Sequence, residues 1–134
     1  FKLVDQYHEI RSSQEFKGKL MLIYFGYSFC PDVCPLGLQN ITQALERLGR
    51  DRDQIIPVFI TVDPKRDTSA HLAVYASNFH PSFVMLTGSI EEIEQIKKKF
   101  KVFSAPAKAS ESTKDYLIDH TTLIYLMDKN GQYL

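Results

Sequence analysis

Cysteine is nearly absent, with two residues in 134. That is too few for a disulfide scaffold, although a close pair suits redox or metal chemistry. Neither sign of charge is in excess: sixteen Lys and Arg face sixteen Asp and Glu. The basic footprint of a nucleic-acid binder is therefore missing, and no nucleic-acid partner is expected. Long apolar runs are also missing. The longest, LMLIYFGY from Leu20 to Tyr27, is far short of the ~20 residues that cross a bilayer as a helix. There is no internal repeat and no linker composition that would divide the chain. The sequence starts at Phe1 rather than Met and stops at GQYL just after a turn. It reads as a piece of a longer product, whose signal peptide or membrane anchor would lie outside it. What remains is globular composition, 44% apolar and 24% charged, enough for one domain over 1–134 with a sizeable core.

The apolar pattern alternates between two kinds of element. FKLV predicts a first strand, and SSQEFKGK a turn of helix with a glycine stop. LMLIYFGY and IIPVFITV (Ile55 to Val62) are apolar at nearly every position, as strands covered on both faces are. FVMLT predicts a third such strand. Leu38, Ile41, Leu45 and Leu48 recur at helical steps before Gly49, and Leu72, Tyr75, Ala76 and Phe79 do so before Pro81. Ser89 with Glu92 forms a capping-box signature ahead of Ile90, Ile93, Ile96 and Phe100. Ser104 to Asp115, SAPAKASESTKD, is small, polar and without period, and predicts a mobile loop. YLIDHTTLIYLMD predicts a strand, and Lys129-Asn130-Gly131-Gln132 a hairpin turn. Strands alternating with helices imply an α/β fold with a largely parallel core. A three-layer, thioredoxin-like arrangement fits best, its mixed central sheet flanked by helices. In such sheets, sites gather at the carboxyl ends of the strands.

Both cysteines fall at one such end. In YFGYSFCPDVCP, Cys30 and Cys34 are four apart and each precedes a proline. The pair occupies the loop and first turn leading into a helix, where i, i+4 spacing brings Cβ atoms about 5–6 Å apart. Pro35 suits an early helical position, and a helix N-terminus favours thiolate. Inert thiols or a structural disulfide, a thiol–disulfide oxidoreductase, and metal capture all remain open on these residues alone. Soft thiolates select Cu(I), zinc or iron–sulfur clusters, but two cysteines need a further ligand for a complete site. His8, His71 and His80 sit where solvated or capping histidines are common. His120 interrupts an otherwise apolar strand, a place also compatible with a satisfied core histidine.

YFGYSFCPDVCP, then FITVDPKRDT, then LTGS, then YLIDHTTLIYLMDKNGQYL resemble, in order over nearly the whole chain, the Sco/SenC family of copper-binding assembly factors for cytochrome c oxidase. The resemblance implies a thioredoxin-like domain that holds Cu(I) or Cu(II) through Cys30, Cys34 and His120, with Asp63 of the VDP turn close by as an outer group. It implies a metallochaperone helping to deliver copper to the CuA site. The partner would be oxidase subunit II or another copper chaperone. It also implies an N-terminal anchor in the inner membrane, with the domain facing the bacterial periplasm or the mitochondrial intermembrane space. Neither that anchor nor the family's last helix is in this sequence. Ser28 stands where relatives often carry threonine, which keeps a hydroxyl. The alternative is a thiol–disulfide oxidoreductase reducing the cysteines of an oxidase subunit or other partner, with Cys30 and Cys34 as the redox pair. Against general exchange, DYLIDHT carries His120 where thioredoxin-like enzymes keep a proline facing their cysteines. A peroxiredoxin-like peroxidase fits less well, because its usual threonine is replaced by Tyr27 or Pro31.

Overall fold

The computed structural model describes residues 2–28, 33–48, 54–79, 82–102, 104–106, 118–120 and 124–129, with residues 13, 33–37, 104–106, 118–120 and 124 described by backbone alone. Its strands, in chain order, are β1 (Lys2–Val4), β2 (Ile10–Ser12), β3 (Leu20–Gly26), β4 (Ile55–Thr61), β5 (Val84–Leu86), β6 (Ser104–Pro106), β7 (Ile118–His120) and β8 (Ile124–Met127). The α-helices are α1 (Val33–Leu48), α2 (Ser69–Ala76) and α3 (Ile90–Phe100), and a 3-10 turn spans Ser13–Phe16. No helix among the described residues is long and apolar enough to cross a membrane.

The central sheet has the order β5-β4-β3-β8. β3 and β4 run parallel from Leu20↔Ile55 to Gly26↔Thr61, and β5 continues parallel to β4. β8 closes the other side antiparallel to β3, with Tyr24 opposite Ile124. The sheet is therefore mixed. Its two inner strands bury both faces: Ile23, Tyr24 and Phe25 lie in the core beside Val58, Phe59 and Ile60. That is why their sequences are apolar without alternation.

Aromatic side chains show how helices cover the sheet. Phe25 meets Phe100 of α3 at 5.5 Å between ring centroids and Tyr125 of β8 at 5.7 Å. On the adjacent position, Tyr24 neighbours Phe59 at 6.4 Å, and Phe59 meets Tyr75 of α2 at 5.9 Å. Successive strand residues point to opposite faces, so α3 and α2 flank opposite sides of the sheet. Leu38, Ile41 and Leu45 bury the apolar stripe of α1.

Two features tie the N-terminal segment down. Val4 and Thr87 exchange backbone hydrogen bonds of 2.8 and 2.9 Å. The Gln6 side chain then acts as a missing strand: Nε2 donates to the Phe83 carbonyl at 2.9 Å, and Oε1 accepts from the Met85 N–H at 3.0 Å. This satisfies backbone groups on the outer side of β5, which burial would otherwise leave costly.

The expected elements are present with three corrections. The segment beginning at Ser104 opens as a strand, since Ser104–Pro106 pairs antiparallel with Ile118–His120. The rest of that expected loop, the turn after Lys129, and the expected stops at Gly49 and Pro81 lie outside the described residues. YLIDHTTLIYLMD is not one strand: β7 pairs with β6, whereas β8 pairs with β3. The short strand β2, paired with β1, was not anticipated.

Candidate metal centre

β3 and β4 end flush, and Val62 N–H donates to the Gly26 carbonyl at 2.8 Å just past the last paired residues. Two connections therefore leave the sheet from the same edge. One runs from Ser28 toward α1, and the other turns through Asp63. Cys34 is the second residue of α1, with Pro35 behind it in the first turn, as expected for a cysteine at a helix start. Cys30 lies outside the described residues.

His120 is the last residue of β7, with its Cα opposite Ser104 of β6. Because β8 is antiparallel to β3 and begins opposite Tyr24, the chain approaches β8 from the edge where β3 ends. Ile124 follows His120 by four positions, a span of at most about 14 Å. The topology thus brings the exit from β3 at Ser28, the Asp63 turn after β4 and the start of β8 to one edge of the sheet.

The acidic groups at this edge are built in detail. Asp63 is 3% exposed, and its carboxylate pairs with Arg66 Nε. The Arg66 guanidinium also lies over the Tyr27 ring, 5.7 Å from its centroid. Asp67 is wholly buried. Its Oδ2 accepts from the Ser28 N–H at 3.0 Å and from Thr61 Oγ1 at 2.6 Å, and its Oδ1 accepts from the Ser28 hydroxyl. Thr61 Oγ1 in turn accepts from the Asp63 N–H at 3.0 Å, and the Asp67 N–H donates to the Asp63 carbonyl at 2.9 Å. Burial pushes the Asp67 carboxyl above its ordinary range. The Ser28 and Thr61 hydrogen bonds pull it down, and the nearby Asp63 charge adds to the rise. Asp67 and Thr61 were not among the residues expected at the site. The one available signal was position: a threonine closing a buried strand, followed by the polar turn DPKRDT.

His8 is exposed in a turn at φ 63°, and His71 lies in the first turn of α2, where its N–H donates to the N-cap Thr68. His80 is outside the described residues.

A family model described as SCO1/SenC matches residues 1–134. A SCO2-like protein of Rickettsia prowazekii is 49% identical over 134 residues, which are all of this chain and 65% of that protein. Among solved structures, Bradyrhizobium japonicum ScoI with copper bound superposes with a TM-score of 0.95 at 40% identity, over all of this chain and 84% of the other. BsSco, described with a disulfide switch and as a member of the Sco family of cytochrome c oxidase assembly proteins, superposes at 0.73 with 26% identity, over all of this chain and 78% of the other. The chain therefore spans about two thirds of the rickettsial relative and more of the solved domains.

Proposed function

The chain belongs to the SCO1/SenC family, and from that premise we propose that it handles copper for cytochrome c oxidase, holding one ion through Cys30, Cys34 and His120. The observation that carries the reading is topological. The exit from β3 toward the cysteines and the start of β8, four positions after His120, lie at one sheet edge in a chain that matches a copper-bound ScoI along its whole length. The donor set fits the ion: two thiolates and one imidazole are a mixed soft and borderline set that suits either oxidation state of copper. Three protein ligands leave room for a recipient's ligand, as transfer requires. Asp63, whose carboxylate pairs with Arg66, is in this reading an outer group to the set.

In this reading the protein is a metallochaperone that passes copper toward the CuA site. Its partner is oxidase subunit II or another copper chaperone. The domain works outside the inner membrane, in the periplasm or the intermembrane space, held by an anchor that precedes it in the longer protein. A second reading has a specific observation in its favour. The disulfide switch named for BsSco supports a thiol–disulfide role for Cys30 and Cys34, directed at a partner's cysteines. The two readings share one site, because a Cys30–Cys34 disulfide removes both thiolate ligands.

The test is copper loading. The reduced protein is expected to retain one copper per chain after desalting and the disulfide form little. His120→Ala should perturb the Cu(II) spectrum while sparing Cu(I), which two thiolates can hold alone. Equal retention by oxidised and reduced protein would defeat the copper reading.

A further inference from the structure

We propose that Asp67 is a positioning residue for the cysteine pair: its buried carboxylate, braced by Thr61 at the end of β4, holds Ser28 and so sets where the chain leaves β3 for Cys30 and Cys34. The copper arm of the argument rests on the reading above; the positioning itself does not.

The geometry is specific. Both hydrogen-bond donors of Ser28, its N–H and its hydroxyl, point at one carboxylate 39 residues away in sequence. The same carboxylate takes the Thr61 hydroxyl, so the ends of two parallel strands are clamped across one side chain. Ser28 precedes Cys30 by two residues, no more than about 7 Å of chain. Fixing Ser28 therefore fixes the chain two positions before the first cysteine.

The cost argues against a purely structural clamp. Asp67 has no exposed surface, and among the described residues its carboxylate meets two hydroxyls and one backbone amide rather than a cation. The cation of this turn, Arg66, pairs with Asp63 instead. Burying a carboxylate against neutral donors is a poor way to gain stability, and groups held at such cost cluster where a site must be kept in place. Partners behind metal ligands that orient them typically matter 10–100-fold in affinity.

The hydrogen-bond pattern separates shape from charge. In Asp67→Asn the amide oxygen can replace Oδ2, accepting from Ser28 N–H and Thr61, while the amide NH2 donates to the Ser28 oxygen. The clamp survives. In Asp67→Ala it is gone. Two measurements on the purified chain read this. The first is copper-free equilibrium with glutathione, in which the dithiol and oxidised glutathione give the Cys30–Cys34 disulfide and two reduced glutathiones. Asp67→Ala should move that equilibrium constant at least tenfold, equivalent to about 30 mV for a two-electron couple, and Asp67→Asn should stay within about threefold of the parent. The second is Cu(I) affinity by chelator competition, where Asp67→Ala should lose about 10–100-fold and Asp67→Asn little. If Asp67→Ala does not fold by circular dichroism, Ser28→Ala, which deletes one of the three donors, should shift both readouts in the same direction by a smaller factor.

A folded Asp67→Ala with parental values in both measurements overturns the proposal, as does Asp67→Asn behaving like Asp67→Ala. Where Asp67→Ala is unfolded, parental values in Ser28→Ala overturn it. A parent that binds no copper but whose disulfide equilibrium shifts on Asp67→Ala keeps the positioning role and rejects the copper reading. A parent that binds copper with neither readout responding does the reverse.

Discussion

Asp63 and Asp67 are four residues apart and both buried, yet they meet different neighbours. Asp63 has a guanidinium at its carboxylate. Asp67 has two hydroxyls and a backbone amide. Among the described residues, charge on Asp67 is therefore held by dipoles, and burial dominates: its carboxyl lies above its ordinary value of 3.8. The sign follows from proton counting. Below the unfolded value both states carry the proton and the group contributes nothing. As pH rises through the window above it, the unfolded chain releases the proton before the folded protein does, so stability from this group falls. Asp67→Asn cannot ionise, so its unfolding free energy relative to the parent should drift in the variant's favour as pH climbs through and above the carboxylate range. Urea denaturation of both proteins between about pH 3.5 and 7 reads this; a constant difference across that range would refute it. Such a residue is hard to find in sequence. DPKRDT reads as a solvated turn, and what makes Asp67 special is a partner 39 positions away.

Helix α3 was legible because its instructions are local. Ser89 Oγ accepts from the Glu92 N–H at 3.1 Å, and the Ser89 N–H donates to Glu92 Oε1 at 2.9 Å. Lys97, Lys98 and Lys99 fill the last turn, where cations suit the dipole. Gly88 matters to this start, since a Cβ there would lie 2.9 Å from Leu3 Cδ2 and 3.0 Å from Glu92 Oε1. Ser89→Ala should cost about 1 kcal/mol and lower the melting temperature by a few degrees without changing copper loading. An unchanged melting temperature would mean that the cap adds nothing. The inner strands were legible too, because burial on both faces leaves a continuous apolar run. β6 and β2 were not. Ser104–Pro106 is a strand because β7 lies beside it, not because SAP favours one, and IRS pairs with β1 over only three residues. The division between β7 and β8 is likewise set by their partners, which composition does not record.

At the scale of the whole molecule, the open α/β sheet leaves backbone ends free at the side where sites in such sheets gather. β3 and β4 stop together, β8 starts alongside the end of β3, and Ser28 and Asp63 follow those strand ends. The arrangement serves a copper carrier and a disulfide reductase equally well up to one residue. A reductase needs the thiolate of its attacking cysteine, and its rate follows that thiolate's fraction and nucleophilicity; exchange itself does not require an imidazole at position 120. A carrier needs a third ligand that holds copper without holding it too tightly, and His120 is the candidate in the segment approaching β8. His120→Ala therefore divides the two. Insulin reduction by parent and variant should be equally weak, while restoration of cytochrome c oxidase activity in a strain lacking the protein should be lost in the variant. Brisk insulin reduction by the parent, together with full restoration of oxidase by His120→Ala, would reverse the ranking, because the site would then be working through its two sulfurs alone.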